Sequence, residues 1–471
     1  MTFNSFTFLW IFTIIFTTYC LTLRKSTGNR LPNLLLLLVS YGLYATSNPV
    51  WCLFLLAVTA TTYLFARLIE RRQAYGQRRY IVAGVALALL PLGLFKYYNF
   101  LTENINELLQ VLGIPAGLPG LNWAIPLGIS FFSFQAVGYL FDVYYRRIPA
   151  EHDWWDYMLF VGFFPQIASG PISKAQDLLP QIKARRTFDY GKCVQGLRWL
   201  LWGFFLKTVV ADRLGLYVDT VFNHYEYQSG SSCLAAAVLY AFQIYADFAG
   251  YSLMAIGVGA VMGFSLINNF QRPYLSVSVT DFWRRWHISL STWLKDYVYI
   301  PLGGNRCSKT RCYLNILVTF LVSGVWHGAN WTFVLWGVLH GMFQIVEKAL
   351  GLQRHDKRGA MRVVRIAITF TLVTFAWIFF RMPTIKDGLH VTAKILTDMP
   401  SVLYMGTKTD LVLTVAALSA VVVKDWTEEF TSFSLFHNRH IAVRWTAYLV
   451  VLFAILLFGV LDSSSFIYAS F

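Results

Sequence analysis

Charge is scarce in this chain. Of its 471 residues, 13% are Asp, Glu, Lys or Arg while 56% are hydrophobic, and the mean hydropathy is +0.52. Soluble globular proteins carry about 25% charged residues, so a water-soluble domain is excluded. Acidic residues are the scarcer half: 24 Asp and Glu stand against 39 Lys and Arg, for a net charge of +15. In a soluble protein that excess would point to nucleic acid. Here the cations gather in connectors between apolar runs, which is how basic loops are kept in the cytoplasm, and no nucleic-acid role is read from them.

A cysteine framework is also missing. Cys20, Cys52, Cys193 and Cys233 are scattered, and Cys307 and Cys312 have neither a second pair nor a nearby histidine to complete a zinc site. They read as free thiols, and no metal is assigned. There is no G-x-S-x-G elbow, no G-x-x-x-x-G-K-[ST] phosphate loop and no kinase signature. The leading segment "MTFNSFTFLWIFTIIFTTYCLTLRK" lacks a basic start and a small-residue cleavage site. It reads as a retained first span.

What the chain has in abundance is apolar runs, at about 5–22, 31–48, 50–68, 80–98, 122–141, 193–211 and 233–263, then 313–330, 331–350, 363–381, 409–424 and 443–461. A bilayer admits only helices and closed barrels, and a barrel would show short alternating segments instead. The expected fold is an all-α polytopic membrane protein of about eleven or twelve transmembrane helices. The two runs flanking Trp331 read as spans or as partial helices meeting in a tight hairpin. "LIERRQAYGQRRY", "YYRR", "IKARR", the 271–312 region and "RHDKRGAMRVVR" are basic, whereas the 99–120 connector holds Glu103 and Glu107. Alternation of sides then places the basic connectors in the cytoplasm and both termini outside. With no internal repeat and no long polar linker, residues 1–471 read as one integral-membrane domain.

Two stretches break the lipid-like pattern. In "DFWRRWHISLSTWLKDYVYIPLGGNR", residues 281–306, Trp283, Trp286 and Trp293 interleave with Arg284, Arg285 and Lys295 around His287. From Arg272 to Arg311 there are seven Lys or Arg against Asp281 and Asp296. Thr280 is expected to cap a helix with Asp281 in its first turn. An amphipathic helix at the cytoplasmic interface explains the tryptophans and arginines, but not His287 or the Gly-rich exit.

The second stretch, "LVSGVWHGANWTFVLWGVLHG" at 321–341, sets His327 and His340 in apolar sequence. Ionisable groups at membrane depth are costly and point to function; a satisfied structural histidine is the alternative, and for His327 its small neighbours favour function. Ser323, Gly324, Gly328 and Ala329 permit close approach of a helix or a ligand. Thirteen residues on one straight helix would turn His340 roughly 220° from His327, so only a break near Gly328–Asn330 brings them together. Asp247, in "QIYADFAGYS", is a further intramembrane acid, either paired with a nearby Arg or Tyr or acting directly.

These two stretches resemble the signature regions of the membrane-bound O-acyltransferases, in particular the bacterial branch concerned with alginate O-acetylation. "LGLFKYYNF", "IPLGISFFSFQAVGYLFDVYY", "FFPQIASGPISK", "NFQRPYLSVSVTDFW" and "FAWIFFR" agree in order, and the likeness runs from about residue 80 to residue 381. Leu253 departs from it, standing where an acidic residue is expected. The resemblance implies a fold enclosing a tunnel through the membrane, with His327 as the catalytic histidine and His287 as its polar partner. It implies acyl transfer from a thioester to a hydroxyl, with acetyl-CoA as donor substrate and no bound cofactor. The acceptor is an exported polysaccharide, alginate-like, cellulose or peptidoglycan, often reached through an extracytoplasmic SGNH-type partner. The implied setting is the bacterial inner membrane. Arg284 and Arg285 would meet the donor's phosphates, and Trp326 and Asn330 would line the substrate path. Two other readings fit the residues. One is a D-alanyl transfer protein of teichoic acid modification. The other is a transporter or flippase that moves a group without chemistry, although repeated halves are not visible.

Overall fold

Backbone amides within a bilayer have no water to bond, so they must close on themselves. Every regular element among the described residues is accordingly helical. The computed structural model describes residues 6–72, 74–115, 117–353, 359–431, 433–460 and 467. The first five residues of the expected leading span and residues 354–358 of the basic connector lie outside them. Among the described residues, five helices are long and apolar enough to cross a membrane: Trp51–Arg71, Gly76–Val111, Gly230–Val261, Ala360–Arg381 and Ile441–Phe458. The sequence has twelve apolar runs, and the others form helices that are shorter, interrupted or less apolar. The 122–141 run, for example, is helical only over Ile129–Tyr144, starting after Pro126 and the left-handed Gly128. The chain is a multi-pass membrane protein.

By its internal contacts the chain divides into two units, Met1–Gly196 with Ala255–Ile267, and Leu197–Met254 with Asn268–Phe471. In the first unit, buried polar groups are paired in series. The Gln166 amide donates to Gln135 Oε1 at 3.0 Å, and Ser173 Oγ donates to Gln166 Oε1 at 2.8 Å. Arg186 donates through Nε to Tyr19 Oη at 2.9 Å, and the Tyr19 hydroxyl donates in turn to the Met262 carbonyl at 2.9 Å. Gly128 has φ 71°, and a side chain there would run into the Ile167 carbonyl. This is the physical content of the glycine in "IPLGIS".

The second unit is organised by a helical hairpin, Lys309–His327 and Trp331–Ala349, nineteen residues in each arm. A Cβ on Gly324 would strike the Phe333 carbonyl, and one on Gly337 the Phe320 carbonyl. The arms therefore touch backbone to backbone, which only small residues allow. The Gly-rich exit of the 281–306 stretch docks at the start of this hairpin. Asn305 Oδ1 accepts from Tyr299 Oη at 2.8 Å and from Lys348 Nζ at 2.5 Å, and Asn315 Nδ2 donates to the Gly304 carbonyl at 3.3 Å. Gly303 and Gly304 both adopt positive φ, 111° and 53°, which explains their place in "PLGGNR".

Asp247 is paired with a lysine, and not with the Arg or Tyr expected from the sequence. Lys207 Nζ lies 2.7 Å from Asp247 Oδ1 and 2.7 Å from Asp212 Oδ1. Lys207 sits in a π-helical turn, Phe205–Ala211, and all three side chains are buried.

Candidate active site

The expected amphipathic helix is broken in two. Val279–Arg285 and Ile288–Leu294 are separate short helices joined at His287, whose φ is 42°. A non-glycine residue in the left-handed region is uncommon and costs energy, and such residues concentrate at functional sites. The strain is held by Asn269, from the "NNFQRPY" segment. Its carbonyl accepts the Ile288 N–H at 3.0 Å and its Oδ1 accepts the Ser289 N–H at 3.1 Å. These bonds fasten the chain immediately after the histidine.

Ser278 caps the first short helix by accepting the Asp281 N–H at 3.0 Å, in place of the expected Thr280. Thr280 is the second residue of the helix, and its hydroxyl donates to Glu347 Oε2 at 3.0 Å. Glu347 also accepts the Val279 and Thr280 N–H groups. The second arm of the hairpin thus lends a carboxylate to the N-terminus of the helix that carries Trp283, where unsatisfied amides and the helix dipole favour it. Charge-assisted bonds of this kind are each worth about 1.5–3 kcal/mol. Glu347→Ala is expected to lower the melting temperature in detergent and to reduce activity several-fold. Glu347→Gln, which keeps an acceptor oxygen, should do less of both. Equal melting temperatures for Glu347→Ala and wild type would refute this tether.

His327 ends the first arm of the hairpin and Trp331 begins the second, with Asn330 as cap, its Oδ1 accepting the Thr332 N–H at 2.9 Å. The break anticipated near Gly328–Asn330 is present. It turns the two histidines toward a common neighbour, Trp336, whose ring centroid is 5.0 Å from His327 and 4.9 Å from His340. Trp326 performs the same service one step away, 4.9 Å from His327 and 5.8 Å from His287. The three imidazoles are thus strung together by two indoles. His287 is 0% exposed, His327 2% and His340 0%. Phe248 meets His287 edge to face at 4.6 Å. Burial pushes His287 down to about 3, so its ring is neutral throughout the physiological range.

The other residues singled out in the sequence have different surroundings. Arg285 bonds Asp281 Oδ1 at 3.2 Å and Glu429 Oε1 at 3.1 Å. Glu429 also holds Arg272 at 2.8 Å and Arg362 at 3.1 Å. Burial raises the Glu429 carboxyl, but the hydrogen bonds and charges of Arg272 and Arg285 outweigh it and hold the group below its ordinary value. Arg284, by contrast, is exposed. Asn330 uses its amide within the structure, its Nδ2 donating to the Pro383 carbonyl at 2.9 Å.

Sequence reasoning missed Asn269, Glu347 and Trp336. The first lies in a quoted motif, but nothing local tells that its side chain reaches His287's turn. Glu347 belongs to no motif, and only its acidic charge at the end of an apolar run could have signalled it.

Chemically, a buried neutral imidazole can take a proton from a hydroxyl as that oxygen attacks a carbonyl. A second neutral ring beside it can orient the reacting groups. The aromatic walls exclude water, which strengthens every such polar interaction.

Comparison with known proteins gives a consistent result. Residues 6–383 match the family model described as MBOAT, membrane-bound O-acyltransferase family. A protein named "Probable alginate O-acetylase AlgI" from Pseudomonas aeruginosa is 39% identical over 389 residues, 82% of this chain and 73% of that protein. Peptidoglycan O-acetyltransferase of Helicobacter pylori is 34% identical over 388 residues, 76% of this chain and 73% of its own. Teichoic acid D-alanyltransferase of Bacillus subtilis is 26% identical over 333 residues, 66% of this chain and 81% of its own.

Proposed function

The chain belongs to the membrane-bound O-acyltransferase family, and from that premise we propose that it transfers acetyl groups from acetyl-CoA to hydroxyls of an extracytoplasmic polysaccharide. The observation that carries the reading is the placement of His327 at the tip of the hairpin, buried among aromatic rings and linked through Trp326 to His287. The names of the alginate and peptidoglycan relatives support an acetyl group and a glycan acceptor. The teichoic acid relative, at lower identity, supports the aminoacyl alternative less strongly.

In this reading His327 is the general base. As the acceptor hydroxyl attacks the thioester carbonyl, its proton passes to the imidazole. The C–S bond then breaks and the departing thiolate recovers a proton from the imidazolium, leaving an ester and a free thiol. His287 lies beside the reacting groups as a neutral partner. The acetyl group enters from the cytoplasmic side of the inner membrane and leaves outward, where an SGNH-type protein can receive it.

The test is to supply membranes carrying the chain with radiolabelled acetyl-CoA or with a D-alanyl carrier-protein thioester. Ester-linked label on the polymer is expected from the first donor. Label from the carrier protein alone would favour the aminoacyl alternative.

The arginines divide by environment. Exposed Arg284 is the proposed phosphate contact, so Arg284→Gln is expected to raise KM for acetyl-CoA with a smaller change in kcat. Arg285 is engaged by two carboxylates, and Arg285→Gln should instead lower thermal stability. An unchanged KM in Arg284→Gln would remove that residue from donor binding.

A further inference from the structure

His327 is enclosed on several sides by rings that meet it edge to face. Trp326 stands at 4.9 Å and 80°, Trp336 at 5.0 Å and 83°, and Phe380 at 5.4 Å and 74°. Trp336 is 0% exposed and Phe380 1%. Neither ring is loosely held. Trp336 stacks on Trp377 at 5.6 Å and 25°, and it touches Phe380 at 5.3 Å. Phe380 is edged in turn by Phe333 at 4.8 Å and Trp377 at 5.0 Å. Interiors packed in this way move only by repacking, so any group brought against His327 meets walls that yield little.

The same enclosure contains hydrogen-bond donors in search of an acceptor. The Trp283 indole N–H donates to His340 Nδ1 at 3.2 Å. An indole nitrogen can only donate, so Nδ1 bears no proton and the neutral ring carries its hydrogen on Nε2. That Nε2 has no partner among the described residues, and neither has Trp336 Nε1. Buried donors left unsatisfied are costly and call for an explanation. An acyl oxygen or a water delivered with it supplies the missing acceptor.

We infer that the rings around His327 form an acyl subsite that admits a group of acetyl size, with Trp336 and Phe380 setting its depth and the Trp336 and His340 N–H groups providing its polar contacts. The inference rests on the acyl-transfer reading above, because rings can limit an acyl group only where His327 handles one. Trp336 is its central residue, since it borders both histidines and presents both a wall and a donor. A longer acyl chain would have to displace Trp336 or Phe380, and each is braced by Trp377.

The experiment uses membranes containing the full chain and the polymer they make. Acetyl-, butanoyl- and hexanoyl-CoA labelled in the acyl carbon are supplied in turn, and base-labile label on the polymer is counted. Wild type is expected to favour acetyl over hexanoyl by at least about a hundredfold, because a single methylene in a tight pocket is worth about 10–200-fold. Trp336→Ala and Phe380→Ala are each expected to narrow that ratio at least about tenfold, by gaining hexanoyl transfer relative to acetyl. Trp336→Phe and Phe380→Leu should narrow it in the same direction with less disturbance to folding. For a variant too slow to label the polymer, the thermal shift produced by acetyl- and hexanoyl-CoA on the purified protein reads the same preference. An unchanged preference in all four variants, whatever their absolute rates, overturns the subsite while leaving acyl transfer intact. Wild-type membranes that label the polymer from none of the three donors overturn the acyl-CoA reading and the subsite together.

Discussion

His327→Ala is expected to lower acyl transfer to the polymer by about 10²–10⁴-fold, the usual contribution of a positioned acid–base group. The imidazole ends the first arm of the hairpin, where Trp326, Trp336 and Phe380 fix its orientation. No other nearby ring can replace it. His287 is held in its own left-handed turn by Asn269, and His340 is engaged by Trp283. His287→Ala is expected to cost substantial activity as well, and His340→Ala less. The measurement is ester content of the polymer at matched amounts of membrane-inserted protein. Insertion should survive, because removing a buried polar ring does not make membrane residence more costly. Wild-type ester content with His327→Ala would dismiss His327 as the base.

Lys207→Ala is expected to be the most destabilising of the substitutions considered, by about 3–5 kcal/mol, the cost of breaking a buried ion pair from one side. It would leave Asp212 and Asp247, both within 2.7 Å of the ammonium, as uncompensated carboxylates in an interior that solvates neither. The C-terminal segment bonds to Asp247 and to the residue after Lys207. Asp247 Oδ2 accepts the Ile467 N–H at 2.8 Å, and the Thr208 carbonyl accepts the Val460 N–H at 3.0 Å. The triple change Lys207→Ala, Asp212→Asn, Asp247→Asn removes every charge and should recover much of the loss. Protein yield and melting temperature in detergent are the readouts. Equal stability of the single and triple variants would argue that the charges are solvated and not buried as a unit.

Much of the site could be read before any coordinates. A histidine in an apolar run next to Gly and Asn implied both a functional group and a helix break. The chain does turn at Gly328–Asn330, because Gly328 is extended and Asn330 caps the next helix. The composition of the 281–306 stretch implied a polar element against the membrane. It did not imply that the element would break at His287, since "RRWHISLS" carries no Gly or Pro to mark a turn. The αL conformation there is imposed from outside, by Asn269 bonding the two amides that follow. Thr280 was misjudged as the cap for a related reason. Ser278 lies two residues before it and takes the cap, because Glu347 claims the Thr280 hydroxyl.

By itself the sequence determined an all-helical, multi-pass membrane protein of the O-acyltransferase family, with His327 and His287 as its foremost polar residues. Those conclusions rest on local properties: hydropathy along a run, helix-breaking residues, and motifs in order. Tertiary structure alone decided who meets whom. It placed Trp336 between His327 and His340, matched Lys207 to Asp212 and Asp247, committed Arg285 to Glu429 while leaving Arg284 exposed, and set Glu347 over the start of the Val279–Arg285 helix. The reason is that a helix's period specifies which side chains share a face, but not which distant face they will touch. Trp283 and His340 are 57 residues apart, and only the close backbone contact of the hairpin arms, permitted by Gly324 and Gly337, fixes the height at which such partners meet.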